Sequence, residues 1–324
     1  MPRPPRLEIA GALYHLMSRG NGRKRIFFGD DDCLRFLRQL RDKLTTYDVV
    51  LYGYVLMDNH FHLLAKTNRA NLSRFMQRLN TSYALYFRYK HRSPGHVLQG
   101  RYRAKIVEDD QYMVSLSRYI HLNPVRTTAA RRLSKSRRVR RLDAFRFSSY
   151  PGYTSAAAEE EWVCYDLRKI FADSTAAARG HYRAYVHACV MEDDRPLLEA
   201  MRSSRYAIGS QQYVAEIEQE FEKRRTGKAT DRDVALPRAQ VDLQRITQIV
   251  AEQYGIDPGA LKQHGRRGQG LGVGIGVPPH GLEPARDRPA LRQHHINGRL
   301  HGPSSVSRAP SPRQSDTTED ARET

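Results

Sequence analysis

The chain has 324 residues and carries 54 lysine and arginine side chains against 35 aspartate and glutamate, a formal net charge of +19 at pH 7. Residues 1–150 hold 30 basic and 11 acidic side chains, whereas residues 151–324 hold 24 of each, so the whole excess belongs to the first half. No segment approaches the ~18 apolar residues that span a membrane. The three cysteines are far apart in sequence and form no CxxC pair, so a zinc ribbon or a disulfide framework is unsupported. These features favour a cytoplasmic protein whose first half binds a polyphosphate backbone.

The spacing of apolar residues predicts seven elements in the first half. In chain order they are a strand at 11–18, a helix that starts at 30–32, a strand at 48–57, a strand at 60–66, a helix at 71–91, a strand at 97–107 and a helix at 109–122. Asp58 and Asn59 are the expected two-residue hairpin turn. The order β-α-β-β-α-β predicts an α+β fold of the ferredoxin-like type, an antiparallel sheet with helices on one face, plus one further helix.

Two histidines stand two residues apart on the third predicted strand. Alternate residues of a strand point to the same side, so His60 and His62 project together while Phe61 turns toward the core. Paired imidazoles on one face suit a divalent metal. The alternative is two unrelated polar positions on a solvated face.

Tyr119 and Asn123 are four residues apart on the last predicted helix and therefore share a face. A phenol on a rigid helix can attack a phosphodiester whose phosphate is polarised, and Asn123 offers an oxygen ligand to a metal in that role. The alternative is that Tyr119 belongs to the core and that Asn123 only ends the helix before Pro124. His121 points about 200° around the helix from Tyr119, which excludes it from the site.

Four separated motifs lie within about residues 8–150: Tyr14-His-Leu-Met-Ser-Arg-Gly-Asn21, Met57-Asp-Asn-His-Phe-His-Leu-Leu64, Leu98-Gln-Gly-Arg-Tyr102 and Ser117-Arg-Tyr-Ile-His-Leu-Asn-Pro-Val-Arg126. In order and spacing they resemble the single-tyrosine HUH transposases of the IS200-like group, and among them the REP-associated tyrosine transposases. The resemblance implies an enzyme that cuts single-stranded DNA beside a hairpin and becomes joined to it through a 5′-phosphotyrosine. The freed 3′-OH later attacks that bond.

The resemblance also implies a role for each matching residue. Tyr119 is the expected nucleophile, and His60, His62 and Asn123 are the expected ligands of Mg²⁺ or Mn²⁺. This sequence has Asp58 where the family motif has proline.

The basic residues of the first half are candidate DNA contacts, each weaker alone than as a group. They are Arg19, Arg23, Lys24, Arg25, Gln99, Arg101, Arg103 and Arg126. Arg126 begins a basic run that extends to residue 146 and that either grips DNA or forms a solvated linker.

Three regions are expected along the chain: a transposase domain at 1–150, a helical region at 151–265 and a disordered tail at 266–324. Residues 243–264 resemble the first part of the helix-turn-helix of the replication initiator DnaA, with a plain helical hairpin as the alternative. The tail has no Phe, Tyr, Trp or Lys but nine Arg, eight Gly and seven Pro, a composition that cannot build a core. A frameshifted gene end is our hypothesis for it.

The sequence therefore predicts a metal-dependent single-stranded DNA endonuclease and strand transferase, a transposase acting on hairpin-containing, REP-like DNA. We expect it in the bacterial cytoplasm, associated with the nucleoid when bound, without a small-molecule substrate. The main alternative is a non-catalytic, domesticated DNA-binding regulator, and a hairpin-specific RNA binder is a third reading. The sequence leaves a monomer and a homodimer equally open.

Overall fold

The protein, described as a computed structural model over residues 7–108 and 111–226, is built on one mixed sheet. The strands are β1 (Leu13–Arg19), β2 (Val49–Met57), β3 (His60–Thr67), β4 (Arg103–Val107) and β5 (Ala207–Ile208), in the order β2-β3-β1-β4-β5. β1 to β4 pair antiparallel, and β5 adds parallel to β4. The predicted α+β fold is confirmed, and β5 is an addition that the sequence did not predict.

Helices cover both faces of the sheet. They are α1 (Asp30–Tyr47), α2 (Leu72–His91), α3 (Gln111–Leu122), α4 (Lys135–Asp143), α5 (Tyr150–Thr154), α6 (Thr175–Ala188), α7 (Arg195–Ser203) and α8 (Gln211–Arg225). α1 and α2 pack on the face to which Phe61 points, where the Phe36 and Phe61 rings lie 4.6 Å apart. α3 lies on the opposite face, against β2 and β3. None of the helices in the described ranges is long and apolar enough to cross a membrane.

A buried carboxylate ties α1 to the end of α2. Asp32, in the first turn of α1, is fully buried and accepts hydrogen bonds of 2.9 Å from Lys90 Nζ, His91 Nε2 and the backbone N–H of Phe28. Burial alone would raise the pKa of Asp32, but these donors, with Tyr86, outweigh it and lower the pKa below its usual value.

The predicted strand at 97–107 is wrong in its first half, because the regular strand begins only at Arg103. Leu98 forms a single bridge to Gly20, and Gly100 then takes a left-handed φ of +64° that interrupts the extended chain. Within the region expected to be helical, the sequence did not predict the short strand β5 at Ala207–Ile208. The helix start at 109, the helix-turn-helix resemblance at 243–264 and the tail at 266–324 lie outside the described residues.

The chain beyond residue 146 covers the edges of the sheet. Along the outer side of β2, the backbone of Leu56 donates to Phe147, Ser149 donates to Tyr54, and Cys164 donates to Leu51, at 2.9, 3.1 and 2.7 Å. At the other edge β5 pairs with β4. The helical region is therefore packed directly onto the sheet.

Candidate active site

The two histidines predicted as ligands lie side by side on β3. The ring centroids of His60 and His62 are 5.1 Å apart, and Phe61 between them is fully buried on the other face. In the register of β1 and β3, Arg19 stands opposite His60 and Met17 opposite His62. Alternation along the strand thus produces a pair of imidazoles with a cation beside it.

Tyr119 lies beside one member of this pair, His62. α3 carries its ring to 5.9 Å from the ring of His62, edge-on at 89°, and to 6.2 Å from the ring of His15 at 85°. The tyrosine is partly exposed. The structure therefore brings the predicted nucleophile beside His62, one of the predicted metal ligands, although the two are almost 60 positions apart in sequence.

His15 is a member of this site that sequence reasoning missed. Its Nε2 lies 2.8 Å from His62 Nδ1, and the two rings are stacked with centroids 5.0 Å apart. His15 is on β1 with the same parity as Met17 and Arg19, so it faces α3. The signal was present in the Tyr14-His15 motif, but only the register of β1 against β3 identifies its partner.

The protonation of the histidines suits metal ligation. Burial lowers the pKa of His15 to about 3, that of His60 to about 4 and that of His62 well below its usual value, so all three are neutral at pH 7. His60 Nδ1 lies 2.6 Å from Asn59 Oδ1, whose amide nitrogen is fixed by its own bond to the carbonyl of Arg23. His60 Nδ1 therefore carries the proton, and Nε2 has the lone pair that a metal needs.

Asn123 follows the last turn of α3. Its Nδ2 donates to the carbonyls of Tyr119 and Ile120 at 2.9 and 3.1 Å. Both bonds use the amide nitrogen, so the side-chain oxygen is the atom available to a ligand. The residue is thus fixed to the helix turn that carries Tyr119.

The donors at this site fit a divalent metal by their chemistry. Neutral imidazole nitrogens and an amide oxygen are both ordinary ligands of divalent ions. Across residues 7–108 and 111–226 no group of three or more His, Cys, Asp or Glu side chains is arranged to hold a metal. The candidate ligands remain the predicted ones, His60, His62 and Asn123.

Two cations modify the phenol. The guanidinium of Arg126 lies 5.6 Å from the centroid of the Tyr119 ring, and its Nε is 3.6 Å from Asp193. Burial raises the pKa of Tyr119, and the charges of Arg126 and Arg19 oppose that rise. The resting phenol is neutral, in surroundings that favour an incoming phosphate.

The other predicted DNA contacts lie on neighbouring surfaces. Arg23, Lys24 and Arg25 are exposed in the loop after β1, where Arg25 lies 3.7 Å from Asp58. Gln99, Arg101 and Arg103 are exposed on the β4 side of the sheet. Of the eight predicted contacts, Arg126 lies against the Tyr119 ring and Arg19 stands opposite His60.

Part of the basic run after residue 125 is turned inward. Arg138 is buried and donates to the carbonyls of Leu133, Val190 and Arg131. Arg131 forms an ion pair of 3.0 Å with Asp193. These side chains hold the fold together, which neither reading of the run anticipated.

The helix that carries Tyr119 is fixed by buried polar contacts on its far side. Arg118 is fully buried, pairs with Asp194 and lies 4.2 Å from the ring centroid of Tyr185. His121, excluded from the site by its helical position, is also buried there and contacts the hydroxyls of Tyr182 and Ser149 at 2.7 and 2.8 Å. The region after residue 150 therefore positions α3 from behind.

Residues 9–123 match the family described as "Transposase IS200 like". Among solved structures, a REP-associated tyrosine transposase bound to a REP hairpin aligns with 15% identity and a TM-score of 0.38, covering 52% of this chain and 93% of the other. No curated protein sequence gives a significant match. The domain at residues 9–123 belongs to the IS200-like transposase family.

Proposed function

We propose that the protein is a metal-dependent single-stranded DNA endonuclease and strand transferase with Tyr119 as its nucleophile. The observation that carries the proposal is the placement of the Tyr119 ring edge-on to His62 and His15, at 5.9 and 6.2 Å. The match of residues 9–123 to a transposase family supports the same chemistry.

The reaction exchanges one phosphodiester for another. The phenol oxygen of Tyr119 forms a bond to the scissile phosphorus as it gives up its proton, and the bond from phosphorus to the 3′ oxygen breaks. The 3′ oxygen takes up a proton and leaves as the free 3′-OH of the upstream segment, and the downstream segment stays joined to Tyr119 through its 5′ phosphate. Attack by a 3′-OH on that phosphotyrosine reverses the steps and joins a strand, so no external energy source is needed.

His60, His62 and Asn123 would hold Mg²⁺ or Mn²⁺. When bound, the metal supplies Lewis-acid polarisation of the phosphate. Arg19 stands opposite His60 and Arg126 lies against the Tyr119 ring, so both place positive charge where negative charge develops. As a ligand Asn123 would couple the metal to the helix turn that carries Tyr119, because its amide nitrogen donates to the carbonyl of Tyr119.

The proposed substrate is single-stranded DNA with a REP-like hairpin. The protein would be associated with the nucleoid when it is bound to that DNA. The +19 charge of residues 1–150 supports a polyphosphate partner. Arg19, Arg23, Lys24, Arg25, Gln99, Arg101, Arg103 and Arg126 are the proposed contacts.

The test is covalent capture. Labelled hairpin oligonucleotide is incubated with the protein and Mg²⁺ or Mn²⁺, then denatured in SDS. The proposal expects a protein–DNA adduct that is absent in Tyr119→Phe and absent when the divalent metal is chelated. Salt-sensitive binding without an adduct under either metal would leave the non-catalytic regulator. A matched RNA hairpin bound more tightly than the DNA would favour the RNA-binding alternative.

A further inference from the structure

A basic cleft lies beside the site, between β4 and the chain that leads from α7 into β5. Its volume is about 870 Å³. One wall carries Arg101, Arg103 and Lys105, and the other carries Arg202 and Arg205. Among the described residues that line it, none is acidic. Five cations around one cleft create a field that attracts a polyanion.

The arginines of the cleft are available to a ligand. Arg101, Arg103, Arg202 and Arg205 are exposed, and none of them forms an ion pair with a described residue. Lys105 is different, because its Nζ donates to the carbonyls of Met201 and Ser204. It fixes the second wall to the first and leaves the four guanidinium groups around the opening.

An aromatic side chain completes the lining. Tyr206 is partly exposed and stacks on Phe221, with ring centroids 3.9 Å apart. A positively charged groove with an aromatic platform is the arrangement that binds a single nucleic-acid strand without reading its sequence.

The cleft is continuous with the face that carries Tyr119. Met17 on β1 pairs with His62 on one side and with Arg103 on the other, and His15 pairs with Lys105. Directly paired residues point to the same face, so His62 and Arg103 lie in one row across the sheet, and His15 and Lys105 lie in the adjacent row on that face. With strands about 4.8 Å apart, His62 and Arg103 are about 10 Å from each other across β1.

One wall of the cleft comes from the region after residue 150, outside the residues that match the transposase family. Arg202, Arg205 and Tyr206 lie beyond residues 9–123, the part that matches the transposase family. They reach the sheet because β5 pairs with β4 immediately after them.

We propose that this cleft binds the single-stranded segment of DNA that adjoins the scissile phosphate, with the arginines on its phosphates and Tyr206 against a base. The inference rests on the proposed function, because it assigns a path to the strand that Tyr119 cuts. The later region then acts as a DNA clamp on the sheet.

Binding of two oligonucleotides tests the proposal. One is the hairpin alone, and the other carries the same hairpin with a single-stranded flank; affinities are measured by fluorescence anisotropy over a salt series. The full chain is compared with R202A/R205A, with R101A/R103A on the opposite wall, and with R38A/R41A, which removes two exposed arginines from α1 on the other face.

The wild type and R38A/R41A are expected to bind the flanked hairpin more tightly than the bare one. R202A/R205A should lose most of that gain, on the order of tenfold, with the salt slope on flanked DNA lower by about 1.4, since each single-strand contact contributes about 0.7. R101A/R103A should behave in the same way. The proposal would be wrong if R202A/R205A kept the melting temperature of the wild type and showed the same gain in affinity from the flank and the same salt slope.

Adduct formation on the same oligonucleotides separates the two proposals. If the wild type forms no adduct while the flank gain depends on Arg202 and Arg205, the nuclease proposal fails and the strand path stands. If the adduct forms and the affinity gained from the flank does not depend on Arg202 and Arg205, the nuclease proposal stands and the strand path fails.

Discussion

His15 Nε2 lies 2.8 Å from His62 Nδ1, which joins a buried histidine of β1 to a candidate metal ligand of β3. A histidine that binds a metal through one ring nitrogen is commonly oriented by a hydrogen bond at the other. When His62 donates from Nδ1 to His15, its Nε2 keeps the lone pair that a metal requires. We therefore expect His15 to orient His62, which would make it a positioning residue for a bound metal.

The main expected effect of replacing His15 is a lower affinity for the metal. In His15→Phe the ring volume remains but the acceptor is lost, and we expect Mn²⁺ affinity to fall by about 10–100-fold. His15→Gln, which retains an acceptor oxygen, should lose less. Free Mn²⁺ measured by electron paramagnetic resonance gives the affinity without any DNA. Equal affinities for the wild type and both variants would contradict the positioning role.

Tyr119→Phe should abolish the covalent adduct while leaving hairpin affinity and thermal stability close to the wild type. Only the phenol oxygen is removed, and the ring keeps its edge-on contacts with His15 and His62. Tyr112→Phe is the matched control, a partly buried tyrosine of the same helix. Denaturing gels with labelled hairpin give the readout, and an adduct that persists in Tyr119→Phe would assign the nucleophile elsewhere.

The buried pair of Arg118 and Asp194 should be a strong contributor to the free energy of unfolding. Asp194→Ala leaves the guanidinium of Arg118 buried without its carboxylate, a change that costs about 3–5 kcal/mol. Asp194 also caps α7 by accepting from the N–H of Leu197. Urea denaturation measures the loss, and Glu199→Ala, an exposed position on α7, should stay within about 0.5 kcal/mol of the wild type.

Asp32 should make stability depend on acid. Its pKa is lowered in the folded protein, so its stabilising contribution is present above its unfolded pKa of about 3.9 and is lost as the pH falls through the lower folded value. Asp32→Asn should reduce the free energy of unfolding at pH 7 by about 1.5–3 kcal/mol, and the difference should shrink below about pH 4.

Asp31→Asn is the control for that measurement, since the Asp31 side chain is 84% exposed. Its effect should be small at every pH. A gap between wild type and Asp32→Asn that is as large at pH 3 as at pH 7 would show that the charge of Asp32 is not the cause.

The order of the first seven elements was predictable because the spacing of apolar residues differs between strands and helices. The two-residue turn at Asp58 and Asn59 and the common face of His60 and His62 follow from the same local rules, and the structure agrees with both. Local periodicity also excluded His121, which is buried on the far side of α3.

What the sequence did not reveal depends on long-range docking. His15 acquires its role from the register of β1 against β3, and the second wall of the cleft exists because Ala207 and Ile208 pair with β4. Arg118 and Arg138 are buried, although a charge pattern by itself suggests solvent. In each case the partner is too distant in sequence for spacing rules to find it.

The covered edges of the sheet bear on how two copies could associate. An edge strand with unpaired N–H and C=O groups is a template for another chain, and proteins avoid such pairing by covering it. Here residues 147–164 cover β2, and β5 covers the end of β4. At β2 a second copy would therefore meet residues 147–164 in place of open backbone groups at Leu51, Tyr54 and Leu56, which disfavours pairing of two sheets along that edge.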